Sequence, residues 1–280
     1  MRLIPRRDPK REPLIRPEDI LLSKRITWRT DDPFTIFECR DFLPPHAYHA
    51  LAGSFPTQLL EERLGRHASR QERLALGDPA LDAFLGKHSA WRDLVDALMS
   101  RTFVRDAFAV VGSEIRAAFR RREGLGTLSR QQAVALGLPR LQSLNFDLSL
   151  SVSGYRLTPH TDSPKKLLAL LLYFPEATAD EGPGAGTRFW RRRGETSELR
   201  DEWQLKGQLP RLIHASDRVD VVDDAMGAFE VAYRRFHVAE YRTNAMSGFV
   251  KTNESWHDVD LRDFPEGSRR RVMLYNINLR

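Results

Sequence analysis

A single cysteine, Cys39, stands in 280 residues, so no intrachain disulfide can brace the fold. Long apolar runs are missing too. The longest, Leu167 to Phe174, is bounded by Lys166 and Pro175, far short of the ~20 residues that cross a bilayer. The N-terminus carries arginines but no apolar stretch, so no secretory signal is expected there, and the simplest address is the reducing cytoplasm. No internal repeat or long low-complexity tract is present, which sets aside solenoids and fibres. Hydrophobic residues make up 41% and charged residues 29% of the chain, a globular balance rather than a disordered one. The length allows a sizeable core without structural staples.

Charge is present, but unevenly. The net charge is +6. Residues 1–30 hold nine Lys or Arg against four acids, a net of +5, and the other 250 residues hold 35 against 34. The excess is therefore confined to residues 1–30, which read as a basic N-terminal extension broken by Pro5, Pro9, Pro13 and Pro17. Such an extension either simply solvates or meets an acidic partner, an anionic lipid surface or nucleic acid. Its only aromatic residue is Trp28, and no nucleic-acid-binding motif is present.

Residues 31–280 read as one domain. The alternation in DDPFTIFECR (31–40) predicts a strand, and Pro44-Pro45 opens a helical stretch to about Arg66. Residues 89–99 predict a helix capped by Ser89, with Trp91, Leu94, Val95, Leu98 and Met99 on one face. Val104, Phe108, Val111, Ile115 and Phe119 mark the next helix, closing a helical lead-in over 44–121. From about 140 the period changes to two. Strands are expected at 145–150, 155–160, 167–174, 228–233, 245–251 and 271–279, with a turn at Gly154. The polar stretch 191–223 reads as an insertion or lid. Helices followed by short strands imply an α+β fold with a mainly β core, the N-terminal helices packed on one sheet of a sandwich or barrel formed by 140–280.

Three places carry chemistry. In LTPHTDSPKK, His160 and Asp162 are two residues apart, a spacing that puts both on one face of a strand. With eight histidines in the chain, one His-x-Asp is also compatible with a surface turn capped by Asp162. His257, in ESWHDV, follows the apolar strand 245–251. Two histidines and one carboxylate match the facial triad of non-haem Fe(II) oxygenases, which leaves positions open on the metal for O2 and a chelating cosubstrate. The run Arg269-Arg270-Arg271 leads into the last strand, where a planar guanidinium is suited to a two-pronged pair with a carboxylate and a surplus arginine to guarding a sheet edge.

The segments PHTDSPKKLLALLLYF, GAGTRFW, SGFVKTNESWHDV and RRRVMLYNI together resemble the Fe(II)/2-oxoglutarate-dependent dioxygenase superfamily, and most closely its prolyl-4-hydroxylase-like bacterial branch. They cover roughly residues 140–190 and 225–280, and DFLPPHAYHALAGSFP is similar to the branch's N-terminal lead-in. The resemblance implies a double-stranded β-helix, the jelly roll shared with cupins. It implies that His160, Asp162 and His257 ligate Fe(II) and that an arginine at the start of the last strand binds 2-oxoglutarate. Arg270 is the closest match and Arg271 the competitor, since alternation puts them on opposite faces. With Arg270 inward, Val272, Leu274 and Asn276 share its face; with Arg271 inward, Met273, Tyr275 and Ile277 do.

The implied activity is a hydroxylase consuming O2 and 2-oxoglutarate and releasing succinate and CO2. Members that halogenate have lost the carboxylate that Asp162 retains here, which favours hydroxylation or desaturation. The interval from Asp162 to His257 is long for the branch. The implied substrate is a small molecule, saccharide or peptide, and Arg191 to Arg193 with the basic extension favour an anionic one. Two other classes compete: a cupin-like metal protein without 2-oxoglutarate chemistry, and a basic module acting on RNA or an anionic membrane surface through residues 1–30.

Overall fold

The computed structural model describes residues 11–67, 69–120, 142–163, 165–176, 181–194, 226–227 and 229–279. The elements in chain order are α1 (Leu22–Arg25), β1 (Ile26–Thr30), β2 (Ile36–Cys39), α2 (Pro45–Gly53), α3 (Thr57–His67), β3 (Gln71–Ala75), α4 (Pro79–Lys87), α5 (Ser89–Leu98) and α6 (Arg101–Arg120). They continue as β4 (Gln142–Val152), β5 (Arg156–His160), β6 (Lys166–Tyr173), β7 (Arg188–Arg192), β8 (Tyr233–Val238), β9 (Met246–Val250), β10 (His257–Asp260) and β11 (Arg269–Leu279).

The strands form two antiparallel sheets, β1-β2-β9-β6-β11-β4-β3 and β5-β10-β7-β8. The last eight strands supply β9-β6-β11-β4 to one sheet and all of the other. Chain neighbours mostly cross between sheets, the winding of a double-stranded β-helix. The fold class expected from the motifs is therefore present: an α+β jelly roll with helices on one sheet.

The apolar run of β6 is explained by burial on both sides. Leu168, Leu170 and Leu172 pack against the helices, while Ala169, Leu171 and Tyr173 face the sandwich interior. On α5, Trp91, Leu94, Val95 and Leu98 are buried. Trp91 meets Phe55, Phe84, Phe146 and Phe174 edge-on or tilted, geometries favoured by the ring quadrupole.

Several expectations are corrected. The helical stretch from Pro44 divides into α2 and α3, because Pro56 cannot continue a helix. The expected helical lead-in contains β3, which joins the large sheet beside β4; residue 121 lies outside the described residues. The strand at 31–40 is confined to Ile36–Cys39. Residues 229–232 are helical and the strand runs Tyr233–Val238 instead, because Phe229, Ala232 and Tyr233 have helical spacing and pack with Trp190 and Trp256. The α5 N-cap is His88, not Ser89.

Residues 11–30 do not form a solvated arm. Ile15, Ile20 and Leu22 are buried among the helices, and Asp93, also buried, binds the Arg11 guanidinium and the Leu14 N–H. Residues 1–10, and 195–223 of the expected insertion or lid, lie outside the described residues. No helix among the described residues is long and apolar enough to cross a membrane.

Candidate metal centre

β5 ends at His160, and β10 begins at His257 directly opposite it. The β5–β10 ladder shifts register between His257 and Val259, in the stretch of β5 that contains Pro159, whose ring nitrogen cannot donate to the ladder. Bulges of this kind re-aim side chains. The chain leaves β5 after His160, and Asp162 turns back onto the histidines. His160, Asp162 and His257 each offer a ligand atom within 4.8 Å of the others. The sequence-level alternative, in which Asp162 only caps a surface turn, does not describe this geometry.

Both imidazoles are oriented in the same way. Nδ1 of His160 lies 2.9 Å from the Thr158 carbonyl, and Nδ1 of His257 lies 2.9 Å from the Ser255 carbonyl. A carbonyl oxygen only accepts, so each Nδ1 carries the proton and each Nε2 keeps its lone pair for the shared space. His257 Nε2 is 3.7 Å from Asp162 Oδ2, and the two rings are 4.4 Å apart. Asp162 Oδ1 is held by Lys166 Nζ at 2.8 Å, while Oδ2 is buried with no hydrogen-bond partner. An orphaned carboxylate oxygen between two imidazole lone pairs is costly as it stands and fits a divalent cation.

The electrostatics agree. Burial lowers the affinity of both histidines for a proton, and with the neighbouring His160 it pushes His257 down to about 3. Burial alone would raise the Asp162 carboxyl, but attraction to His257, Lys166 and His160 outweighs it and holds the group well below the usual carboxylate range. The cluster is therefore two neutral imidazoles and a carboxylate at neutral pH. One consequence is measurable without metal. Between the ordinary histidine value of ~6.5 and about 3, the unfolded chain takes up a proton at His257 that the folded chain refuses. The apo-protein is thus fully stabilised above ~6.5 and loses stability as pH falls below it, and Asp162 adds a loss of the same sign only below ~4. Melting temperatures of metal-free protein at stepped pH check this. A His257→Phe variant retaining the full slope would refute the assignment to His257.

The three arginines of the last strand are separated by its alternation. Arg270 shares the inner face with Val272, Leu274 and Asn276, while Arg271 lies with Met273, Tyr275 and Ile277 on the helix side. Arg269 pairs with Glu61 and Glu176. Arg271 is consumed locally: it donates to the Phe174 and Pro175 carbonyls, pairs with Glu176 at 3.4 Å and lies over the Phe55 ring. Arg270 is only 4% exposed and has no carboxylate partner among the described residues. Its Nε donates to the Ala185 carbonyl at 2.6 Å, its Nη2 reaches Thr187 Oγ1 at 3.3 Å, and Tyr173 donates its hydroxyl to the same Thr187 oxygen. Thr187 is two residues from Phe189, which pairs with His257. The guanidinium therefore lies beside Thr187, just before the strand that carries the partner of His257.

Gly186 makes this arrangement possible. A Cβ there would sit 1.8 Å from the Ala239 carbonyl oxygen, whereas nothing lies within 4 Å of one at Gly184. Gly186→Ala is expected to cost about 1–3 kcal/mol and to weaken anion binding at Arg270 by displacing Ala185 and Thr187. Gly184→Ala serves as the control in thermal melts.

Three contributors carry little signal in the sequence. Lys166, four residues after Asp162, had a spacing that signals an ion pair across a turn. Tyr173 was hidden in an apolar run, and Thr187 carried no signal of its own beyond the GAGTRFW similarity.

No family model matches the chain, and no curated protein does. Among solved structures it is similar to a prolyl-4-hydroxylase from Pseudomonas putida, at 13% identity over 94% of this chain and 98% of the other, with a TM-score of 0.44. It is similar to the Fe(II)/α-ketoglutarate-dependent dioxygenase TqaL, at 9% identity over 84% and 75%, with a TM-score of 0.43. HygX from Streptomyces hygroscopicus, solved with nickel and 2-oxoglutarate bound, gives 12% identity over 87% and 82% and a TM-score of 0.37. These similar structures include Fe(II)/2-oxoglutarate oxygenases, the superfamily that the sequence motifs resemble.

Proposed function

We propose that this chain is a non-haem Fe(II), 2-oxoglutarate-dependent dioxygenase that hydroxylates its substrate with release of succinate and CO2. The observation that carries the reading is a pairing within one sandwich interior. A two-histidine, one-carboxylate cluster with a buried unpartnered oxygen lies near a buried guanidinium that has no carboxylate of its own.

In this reading His160, Asp162 and His257 hold the iron, since neutral imidazoles and a carboxylate suit Fe(II). Bound Fe(II) with 2-oxoglutarate supplies O2-dependent oxidation of an unactivated C–H bond. The chain's own residues do the rest. The backbone carbonyls of Thr158 and Ser255 keep the imidazole protons on Nδ1. Lys166 holds Asp162 Oδ1 and leaves Oδ2 for the metal. Arg270 binds the far carboxylate of 2-oxoglutarate with the N–H groups that Ala185 and Thr187 do not use. Phe249 and Phe189, whose rings lie 4.5 and 6.3 Å from that of His257, exclude water from one side. Arg271 keeps a packing role on the helix side.

The test is anaerobic addition of Fe(II) and then 2-oxoglutarate. A visible metal-to-ligand charge-transfer band is expected on the second addition, followed by succinate when O2 is admitted. Iron binding with neither band nor succinate would leave a cupin-like metal protein in place of an oxygenase. The reading of a basic module loses support from the packing of Ile15, Ile20 and Leu22 into the core.

A further inference from the structure

Rings continue outward from the metal cluster along the smaller sheet. His257 pairs with Phe189 and Phe189 with His237 on one rung, with ring centroids 6.3 and 5.9 Å apart. Trp28 of β1 then stacks on His237 at 4.3 Å with the planes 17° apart. The β7–β8 ladder shifts register at this rung and leaves Phe236 out of the pairing, so Phe236 and His237 both turn toward the same space. That space is a cleft of about 430 Å³, lined by Trp28, Asp32, Phe236, His237 and three arginines, Arg191, Arg234 and Arg235.

The cleft is cationic and aromatic together. Arg191 lies over the Phe236 ring and pairs with Asp32 at 2.6 Å, yet its Nε is buried without a hydrogen-bond partner. His237 is matched by Glu38 at 2.8 Å. Asp32 therefore offsets one guanidinium of three; no acid among the described residues is paired with Arg234 or Arg235, which are exposed. Trp28 is 40% exposed, one of two large apolar side chains so open among the described residues. β8 is an edge strand, and edge arginines discourage sheet-to-sheet pairing. That duty accounts for Arg234 and Arg235, but not for an indole laid open on an imidazole or for a cleft joined by rings to the metal cluster.

We propose that this cleft anchors the substrate, and that the substrate is an anionic compound with a flat ring. Arg234 and Arg235, with Arg191 behind them, hold its phosphate or carboxylate, and Trp28 stacks on its ring. From the cleft, His237 and Phe189 mark the direction of His257. The purpose assigned to the cleft rests on the oxygenase reading, whereas its binding chemistry does not.

Phenyl phosphate, inorganic phosphate and phenol are each titrated calorimetrically into the full chain, and each protein sample is also scored for the Fe(II)–2-oxoglutarate band. Phenyl phosphate is expected to bind at least ~10-fold more tightly than either fragment, because one site holds both parts. The double variant Arg234→Ala/Arg235→Ala and the single variant Trp28→Ala are each expected to weaken it at least ~5-fold. Trp28→Phe should restore most of the affinity, and the band should persist throughout. Benzoate in place of phenyl phosphate separates a carboxylate preference from a phosphate one. Equal binding of phenol and phenyl phosphate, or unchanged binding in the arginine variant, overturns the proposal even where the band is normal. Ring- and charge-dependent binding in a protein that gives no band supports the anchoring site and removes the oxygenase reading instead.

Discussion

Asp162→Ala is expected to abolish the anaerobic charge-transfer band and to weaken Fe(II) binding by more than ~100-fold, a larger loss than outer-shell changes produce. The carboxylate is the only anion in the cluster, and its Oδ2 is the atom the fold leaves without a partner. Removing it leaves two neutral imidazoles, one ligand and one negative charge short of the set that suits Fe(II). His257→Ala should be as damaging to the band, since it removes a preoriented Nε2.

Folding should respond differently. Without metal, the Asp162 substitution removes a buried charge along with its Lys166 contact, and these effects oppose each other. The apo melting temperature is therefore expected to move little, while the stabilisation of the wild-type chain by Fe(II) disappears in the variant. Metal titrations and melts on the same samples decide the matter. In halide-free buffer, an Asp162→Ala protein that still bound iron and still formed the band would remove the basis of the assignment.

The second large effect is a contrast between neighbours. Arg270→Ala should weaken 2-oxoglutarate binding by ~10- to 100-fold, the worth of a charge-assisted hydrogen bond lost to a buried anion. It should leave Fe(II) binding intact. Arg270→Lys should recover only part of the loss, because an ammonium cannot reproduce the flat fork. Arg271→Ala should do the reverse. It strands the Phe174 and Pro175 carbonyls on the helix side, while Glu176 keeps its pairing with Arg269. A loss of about 1–3 kcal/mol in stability is expected for each group left unsatisfied, with 2-oxoglutarate affinity unchanged. Titrating 2-oxoglutarate into Fe(II)-loaded variants against the band, beside thermal melts, separates the two. Weak 2-oxoglutarate binding in the Arg271 variant alone would reverse the assignment of the faces.

The candidate site was legible to different depths. His160 and Asp162 could be paired from their spacing, which is local. His257 lies 95 positions after Asp162, and only the resemblance joined it to them. Lys166 was within reach of a local reading but carried no meaning until Asp162 was seen to need a partner. Trp28 and His237 offered nothing in sequence, since their stack is made by a β1 residue lying against β8 of the other sheet.

The fold divides along similar lines. The apolar stripes of α5 and α6 and the doubly buried β6 are properties of single segments, and their periods were sufficient. The helix at 229–232 looks like strand in sequence because the run is short and its spacing acquires meaning only from the aromatic cluster beneath it. Strand β3 is polar at three of its five positions and is recruited by pairing with β4. Residues 1–30 are basic enough to suggest a free arm, yet three apolar side chains and the Asp93 contact dock residues 11–30.

Composition and period alone determined that this chain builds helices first and a mainly β sandwich or barrel after, and that Arg270 and Arg271 must part to opposite sides. Only the tertiary structure decided which side was the interior. Alternation along a strand assigns residues to two faces but leaves those faces equivalent until a second sheet covers one and helices cover the other. That covering turned Arg270 toward the histidines, and left Arg271 to hold the helix layer in place.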